Sequence, residues 1–192
     1  MRDLAPTSAF SLLPRGVGLA VTAEDGVGIA MVQALTGQSA ELTARIAAAT
    51  GLQLPEGPRA STTPVLTALG IGPRRWLVVA DGRANGLDAM LASAAGSAGV
   101  VNDQSDGYAV LRLAGPGCHA VLARGVNIDL HPYAFPVGSV AATGIAHLGV
   151  ILWRAPDAGG EPVFILAVFR SMAGSLVHWL ETAIAGAGLA VG

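Results

Sequence analysis

At 192 residues the chain is long enough to bury a sizeable core in one domain or two small lobes. Hydrophobic residues make up 52% and charged residues only 12%, and the net charge of −2 leaves no basic stripe for nucleic acid. All eleven basic residues are arginine, which excludes a lysine-bearing phosphate loop, a Schiff-base lysine and a pyridoxal-phosphate lysine.

So little charge fits either a membrane protein or a protein that covers much of its surface with partners. The membrane reading fails on texture. The longest stretch without Asp, Glu, Lys or Arg, residues 130–153, is broken by Pro132, Pro136 and several glycines. A spanning helix needs roughly 20 apolar residues without such breaks. Asp3 and the pair Pro14-Arg15 cut short any leader-like hydrophobic region, so a cytoplasmic protein is expected. The single cysteine, Cys118, fits a reducing compartment.

Residues 1–15 read as a loose arm, 16–99 as a first α+β lobe and 100–192 as a second, together one compact two-lobed domain. Strands are expected near 16–22 and 27–35, with the turn Glu24-Asp25-Gly26 between them. Ser39 is placed to cap a helix over 40–49, which Gly51 ends. A Pro/Gly/Ser-rich loop reaches Thr63, and strands follow at 64–69 and 75–80. The run Trp76-Leu-Val-Val-Ala is apolar on both faces, the mark of a central strand. A helix over 85–95 comes next, and then strands at 100–101 and 107–114. In the latter, Tyr108, Val110 and Arg112 face one way and Ala109, Leu111 and Leu113 the other.

Gly115-Pro116 is expected to open a third helix that Gly125 closes, with the proline in its first turn. Residues 140–153 read as two strands turning near Ala146-His147, and 162–169 as another. Ser171 is placed to cap the last helix, where Met172, Leu176, Leu180 and Ile184 share a face, and the tail from Gly186 should fray. The order helix, strands ending in Trp76-Leu-Val-Val, helix is echoed by helix, strands ending in Phe164-Ile-Leu-Ala-Val, helix. This predicts a duplicated α+β fold, two sheets each backed by helices.

No constellation for a reaction emerges. Cys118 and its neighbour His119 do not face each other on a helix, so the thiol is assigned to packing. The four histidines, His119, His131, His147 and His178, show no metal-ligand spacing. Asp103 and Asp106 are expected to shape a turn, and His178 and Glu181 to form a surface pair. Arg74 and Arg75, ahead of a buried strand, read as a solvated edge or a partner contact.

Several strings nevertheless carry a resemblance. Leu69-Gly-Ile-Gly-Pro-Arg-Arg-Trp-Leu-Val-Val resembles the "LGPDEWL" stretch of the gamma-subunit family of heterotetrameric sarcosine oxidase, with Arg74-Arg75 where an acidic pair is common. Ser105-Asp-Gly-Tyr-Ala-Val-Leu-Arg-Leu-Ala-Gly-Pro-Gly and the closing Arg170-Ser-Met-Ala-Gly-Ser-Leu-Val-His-Trp-Leu are similar to that family too. The most specific string is Asp129-Leu-His-Pro-Tyr-Ala-Phe-Pro-Val-Gly. The similarity runs from about Pro64 to Ala183.

The resemblance implies the fold of the folate-binding aminomethyltransferase-like domains and a non-catalytic accessory subunit. The implied complex oxidatively demethylates sarcosine to glycine, hydrogen peroxide and a one-carbon unit that tetrahydrofolate accepts. Its FAD, FMN, NAD and zinc would sit on other subunits, with none on this chain. The implied partners are the alpha and beta subunits, with delta a further candidate, and neither nucleic acid nor membrane. Self-association of the isolated chain is also allowed for. The alternative is a free-standing folate- or pterin-binding protein. The folate-binding relatives carry K-G-C-Y-x-G-Q-E, whereas here lysine is absent and the cysteine stands in Gly117-Cys-His.

The link 129–136 holds two prolines, which fix their own φ and push His131 and Phe135 out of the helical region. A rigid turn loses little ordering entropy on docking. His131, Tyr133 and Phe135 are therefore expected to contribute to a partner contact, with Arg74 and Arg75 as further contact candidates; the alternative is that both aromatic rings fold inward and cover the core of the second lobe.

Overall fold

The computed structural model describes residues 8–10, 12–82 and 86–190. In chain order the strands are β1 (Ala20–Ala23), β2 (Gly28–Ala34), β3 (Ala60–Thr62), β4 (Leu66–Gly72), β5 (Arg75–Ala80), β6 (Gly99–Asp103), β7 (Tyr108–Ala114), β8 (Val140–Ile145), β9 (Leu148–Ala158) and β10 (Glu161–Phe169). The helices are α1 (Ser39–Thr50), α2 (Leu87–Ala95), α3 (Cys118–Leu122) and α4 (Ala173–Gly186). They build an α+β fold of two five-stranded sheets, ordered β3-β4-β5-β2-β6 and β8-β9-β10-β7-β1.

Written that way, the two orders repeat position for position. β4, β5 and β2 correspond to β9, β10 and β7, and α1 and α2 to α3 and α4. The echo in the sequence is therefore a repeat of topology. Its edge strands are crossed over. β1, expected in the first lobe, pairs with β7 in the second sheet, Ala20 opposite Ala114. β6 closes the first sheet against β2.

Three apolar layers follow from this arrangement. The outer face of the first sheet packs on α1 and α2, burying Val32, Leu42, Ile46, Val78 and Leu91. The outer face of the second packs on α3 and α4 through Leu111, Leu122, Phe164, Leu176 and Leu180. Between the sheets lie Ile29, Leu69, Leu77, Val110, Ile151 and Trp153. A sheet covered on both faces needs strands apolar on both, and β5 is buried from Trp76 to Ala80 between β4 and β2. The alternation expected in β7 also holds, with Leu111 and Leu113 toward the helices and Val110 toward the other sheet.

Burial outweighs capping in these helices. None of α1, α2 and α4 has a side-chain cap bond, a deficit of about 1 kcal/mol each. Leu42 and Ile46 of α1 are fully buried, and each such side chain contributes about 1.5–3 kcal/mol. Ser39 is thus the first residue of α1, with Gln38 in the cap position; Gly51 does close the helix, at φ 72°.

Other expectations shift at the edges. Ser171 caps nothing: a short 3-10 turn over Arg170–Met172 precedes α4, and Met172 is exposed while Leu176, Leu180 and Ile184 are buried. Pro116 precedes α3 rather than starting it, and α3 ends well before Gly125. The strand expected at 64–69 begins at Leu66, because the Thr63 hydroxyl accepts the Leu66 N–H and makes a turn. The short β3 lies within the expected Pro/Gly/Ser loop. Asn85, the expected start of α2, lies outside the described residues.

Of the arm expected to be loose, residues 1–7 and 11 lie outside the described residues. Among the described residues of the arm Phe10 is buried in the second helical core, while Leu12 is 77% exposed. The tail expected to fray is also held as far as described, since Val17 N–H donates to the Leu189 carbonyl at 2.7 Å.

Candidate partner-contact surface

The link between α3 and β8 is folded by its own polar groups. The Asp129 carboxylate accepts the His131 N–H at 2.8 Å, and the His131 carbonyl accepts the N–H groups of Ala134 and Phe135. This turn sends its aromatic rings in opposite directions. His131 and Tyr133 stack on each other outside, with centroids 5.4 Å apart, and Tyr133 is 94% exposed. Phe135 turns inward. It is 6% exposed and stacks 6.4 Å from Phe164, itself fully buried. Phe135 is thus packed into the core of the chain, with an edge lining a cavity, while His131 and Tyr133 carry the exposed part of the turn.

Arg74 and Arg75 sit at the turn between β4 and β5, both exposed. Arg74 holds φ at 58°, a left-handed conformation costly for a non-glycine residue. Its guanidinium donates to the Thr36 hydroxyl at 3.0 Å. Arg75 stands near Tyr108, whose phenol is raised above its usual range by burial and pulled partly back by that cation.

A cavity of about 760 Å³ brings the arginine turn and the aromatic link together. Ile71, Arg74 and Trp76 line it together with Ile128, Asp129 and Phe135 and residues 140–142 of β8. The Trp76 indole N–H is fixed by the Pro55 carbonyl at 2.8 Å. A second cavity of about 470 Å³, on the other side of the link, is lined by His119, Leu130 and His131.

Sequence reasoning missed the polar knot behind the link. Arg154 is buried in β9, donates to the Ala155 and Val163 carbonyls at 3.0 Å each and pairs with Asp157. Its guanidinium lies 5.0 Å from the Phe164 centroid, and His119 meets the same ring edge-on at 5.2 Å. His119 Nε2 has no hydrogen-bond partner among the described residues. Burial, with Arg154 nearby, holds this imidazole below the usual histidine range. The one signal in the sequence was an arginine inside an apolar strand with an aspartate three residues on.

Cys118 is fully buried, with its thiol donating to the Pro162 carbonyl at 3.5 Å. Burial pushes its pKa up to about 12. The thiolate is the reactive form, so the native thiol should resist alkylation at pH 8 and react promptly once the chain is unfolded in denaturant. Fast labelling of the native protein would show a reactive site instead. His178 and Glu181 face each other at 3.7 Å on the surface of α4, and the Asp103 carboxylate accepts from Ser105 in the turn before β7, as expected of both. Among the described residues no group of three His, Cys, Asp or Glu side chains converges, and no helix is long and apolar enough to cross a membrane.

Comparison with known proteins gives this architecture its relatives. Residues 36–186 match the sarcosine oxidase, gamma subunit family. Sarcosine oxidase subunit gamma of an Arthrobacter species is 31% identical over 153 residues, 80% of this chain and 73% of that protein. The subunit gamma of Corynebacterium sp. strain U-96 is 32% identical over 160 residues, 82% of this chain and 74% of that protein. The structure of heterotetrameric sarcosine oxidase from Corynebacterium sp. U-96 in complex with pyrrole 2-carboxylate contains a similar chain. Its TM-score is 0.80 at 27% identity, covering 92% of this chain and 91% of that one. Aminomethyltransferase T of the Bartonella henselae glycine cleavage system shares the fold, with TM-score 0.62 at 19% identity over 86% of this chain and 46% of that one. The chain belongs to the sarcosine oxidase gamma subunit family.

Proposed function

We propose that this chain is a structural subunit of a heterotetrameric sarcosine oxidase-type complex in the cytoplasm and takes no direct part in the chemistry. The observation that carries the reading is the near full-length likeness, at TM-score 0.80, to a chain of such a complex. The apolar, lysine-free composition supports it independently, because interfaces favour Arg and aromatic residues over Lys, Glu and Asp. The sole thiol is held in its inert form, which supports the non-catalytic part.

In this reading the alpha and beta subunits are the direct partners, with delta a further candidate. FAD, FMN, NAD and zinc belong to those subunits, which oxidatively demethylate sarcosine. The exposed Tyr133 and His131, together with the strained Arg74, are the residues assigned to docking. Backbone strain at an exposed arginine points to a surface shaped for something other than stability. Co-expression with the alpha and beta subunits should yield one larger species on size exclusion, with this chain in fixed proportion. Elution of the chain alone at micromolar concentration would overturn the reading.

A further inference from the structure

The outer edge of β8 is bonded at both ends, to residues 58–60 of the first half and to the link after α3, and a gap is left between the two ties. At one end the Val140 N–H donates to the Pro58 carbonyl at 3.0 Å, and Ala60 N–H donates to the Gly138 carbonyl at 2.8 Å. At the other end Ala146 N–H donates to the Gly125 carbonyl at 2.8 Å. All three bonds point away from β9, the ladder partner of β8. In an antiparallel pair a residue's N–H and C=O lie on one side and the side alternates along the strand. The β8–β9 register runs without a shift from Val140 to Ile145. Ala142 and Gly144 therefore present their backbone groups to the same outer side as Val140 and Ala146.

Ala142 is exposed there, and among the described residues nothing pairs with its N–H or C=O on that side. The opening leads into the 760 Å³ cavity, between the apolar walls of Ile71, Trp76 and Phe135. Natural edge strands are normally protected by a charge, a proline or a bulge. β8 reads VAATGI and has none of these. The described lining residues include two exposed acidic side chains, Glu56 and Asp129, while Arg74 is turned to Thr36 and the neighbouring Arg59 to Ser139.

We propose that this gap receives an extended segment of a partner subunit, which adds as a strand against Ala142. The donors and acceptors of a strand edge fit another backbone, which gives affinity, and the cavity takes alternate side chains. The segment carries small or apolar residues toward Trp76 and Phe135 and a basic side chain toward Glu56 and Asp129. This assignment rests on the structural-subunit reading above.

The test uses the chain co-expressed with the alpha and beta subunits. Ala142→Pro removes only the outward N–H, since proline is tolerated in an edge strand at such a position. Assembly should weaken at least tenfold while the variant alone melts close to the wild type. Glu56→Arg should weaken assembly at least threefold, and unchanged affinity would overturn the charge assignment.

Hydrogen exchange on the wild type covers the case in which the proline variant fails to fold. The Ala142 amide should exchange fast in the free chain and become protected in the complex. A wild-type complex with an unprotected Ala142 amide, or with full tolerance of proline, sinks the strand addition alone. Failure of the wild type to assemble sinks the subunit reading. A homodimer of the free chain that Ala142→Pro dissolves would give the edge to a second copy and also overturn the proposal.

Discussion

Phe135→Ala is expected to cost about 3–4 kcal/mol, the usual result of truncating a buried aromatic ring to alanine. For a chain of this length that is a fall in Tm of about 10 °C. The ring is 6% exposed, lies against Phe164 and closes the helical side of the second sheet with Leu130 and Leu122. Its loss leaves a void near a guanidinium, because Arg154 also lies over the Phe164 ring, 5.0 Å from its centroid. Collapse around that void would disturb the bonds of Arg154 to Ala155 and Val163, so the cost should fall in the upper part of the range. The isolated subunit, unfolded by heat and by urea, is the sample to measure. An unchanged Tm with weakened assembly would instead place Phe135 at the partner surface.

The same residue shows where sequence reading stops. Two prolines and an Asx-type turn make a rigid link legible, because they act through φ and through hydrogen bonds within a few residues. Which way each ring points depends on what lies behind the turn. That is Phe164, far along the chain on a strand whose neighbours are set by sheet order. Tyr133, two residues earlier, faces outward with the same local chemistry.

The strands follow the same division. Residues 76–80 could be read as central because a strand covered on both faces has to be apolar on both, and that pattern is local. The crossover of β1 into the second sheet leaves no local trace, since its four residues alternate like any half-exposed strand. β3 was hidden because three residues are too few to show a period of two, and they sit amid prolines and glycines. The cavity that joins the arginine turn to the link was invisible for a related reason. It is made where two separately readable motifs meet, through the ties of 58–60 to 138–140.

Gly70→Ala is the substitution expected to test those ties most severely. A Cβ on Gly70 would lie 2.0 Å from the Gly57 carbonyl oxygen, and 3.1 Å from its carbon. Both partners are backbone, so no side chain can rotate to relieve the contact. The loop cannot retreat cheaply either. Pro55 is held by the Trp76 indole, the Arg59 carbonyl accepts the Gly70 N–H at 2.9 Å, and Ala60 is bonded to Gly138. Pushing Gly57 away therefore breaks a chain of bonds that ends at the edge of β8. The expected loss is about 3 kcal/mol or more, at the upper end for overpacking. It should appear as a lower urea midpoint with little change in slope. Gly72→Ala supplies the control, two residues along the same strand. Nothing lies within 4 Å of a Cβ there and φ is not positive, so its effect should stay within about 1 kcal/mol of the wild type. Equal effects of the two substitutions would show that the loop 55–59 is not pressed against β4, and that the cavity wall it forms is not fixed.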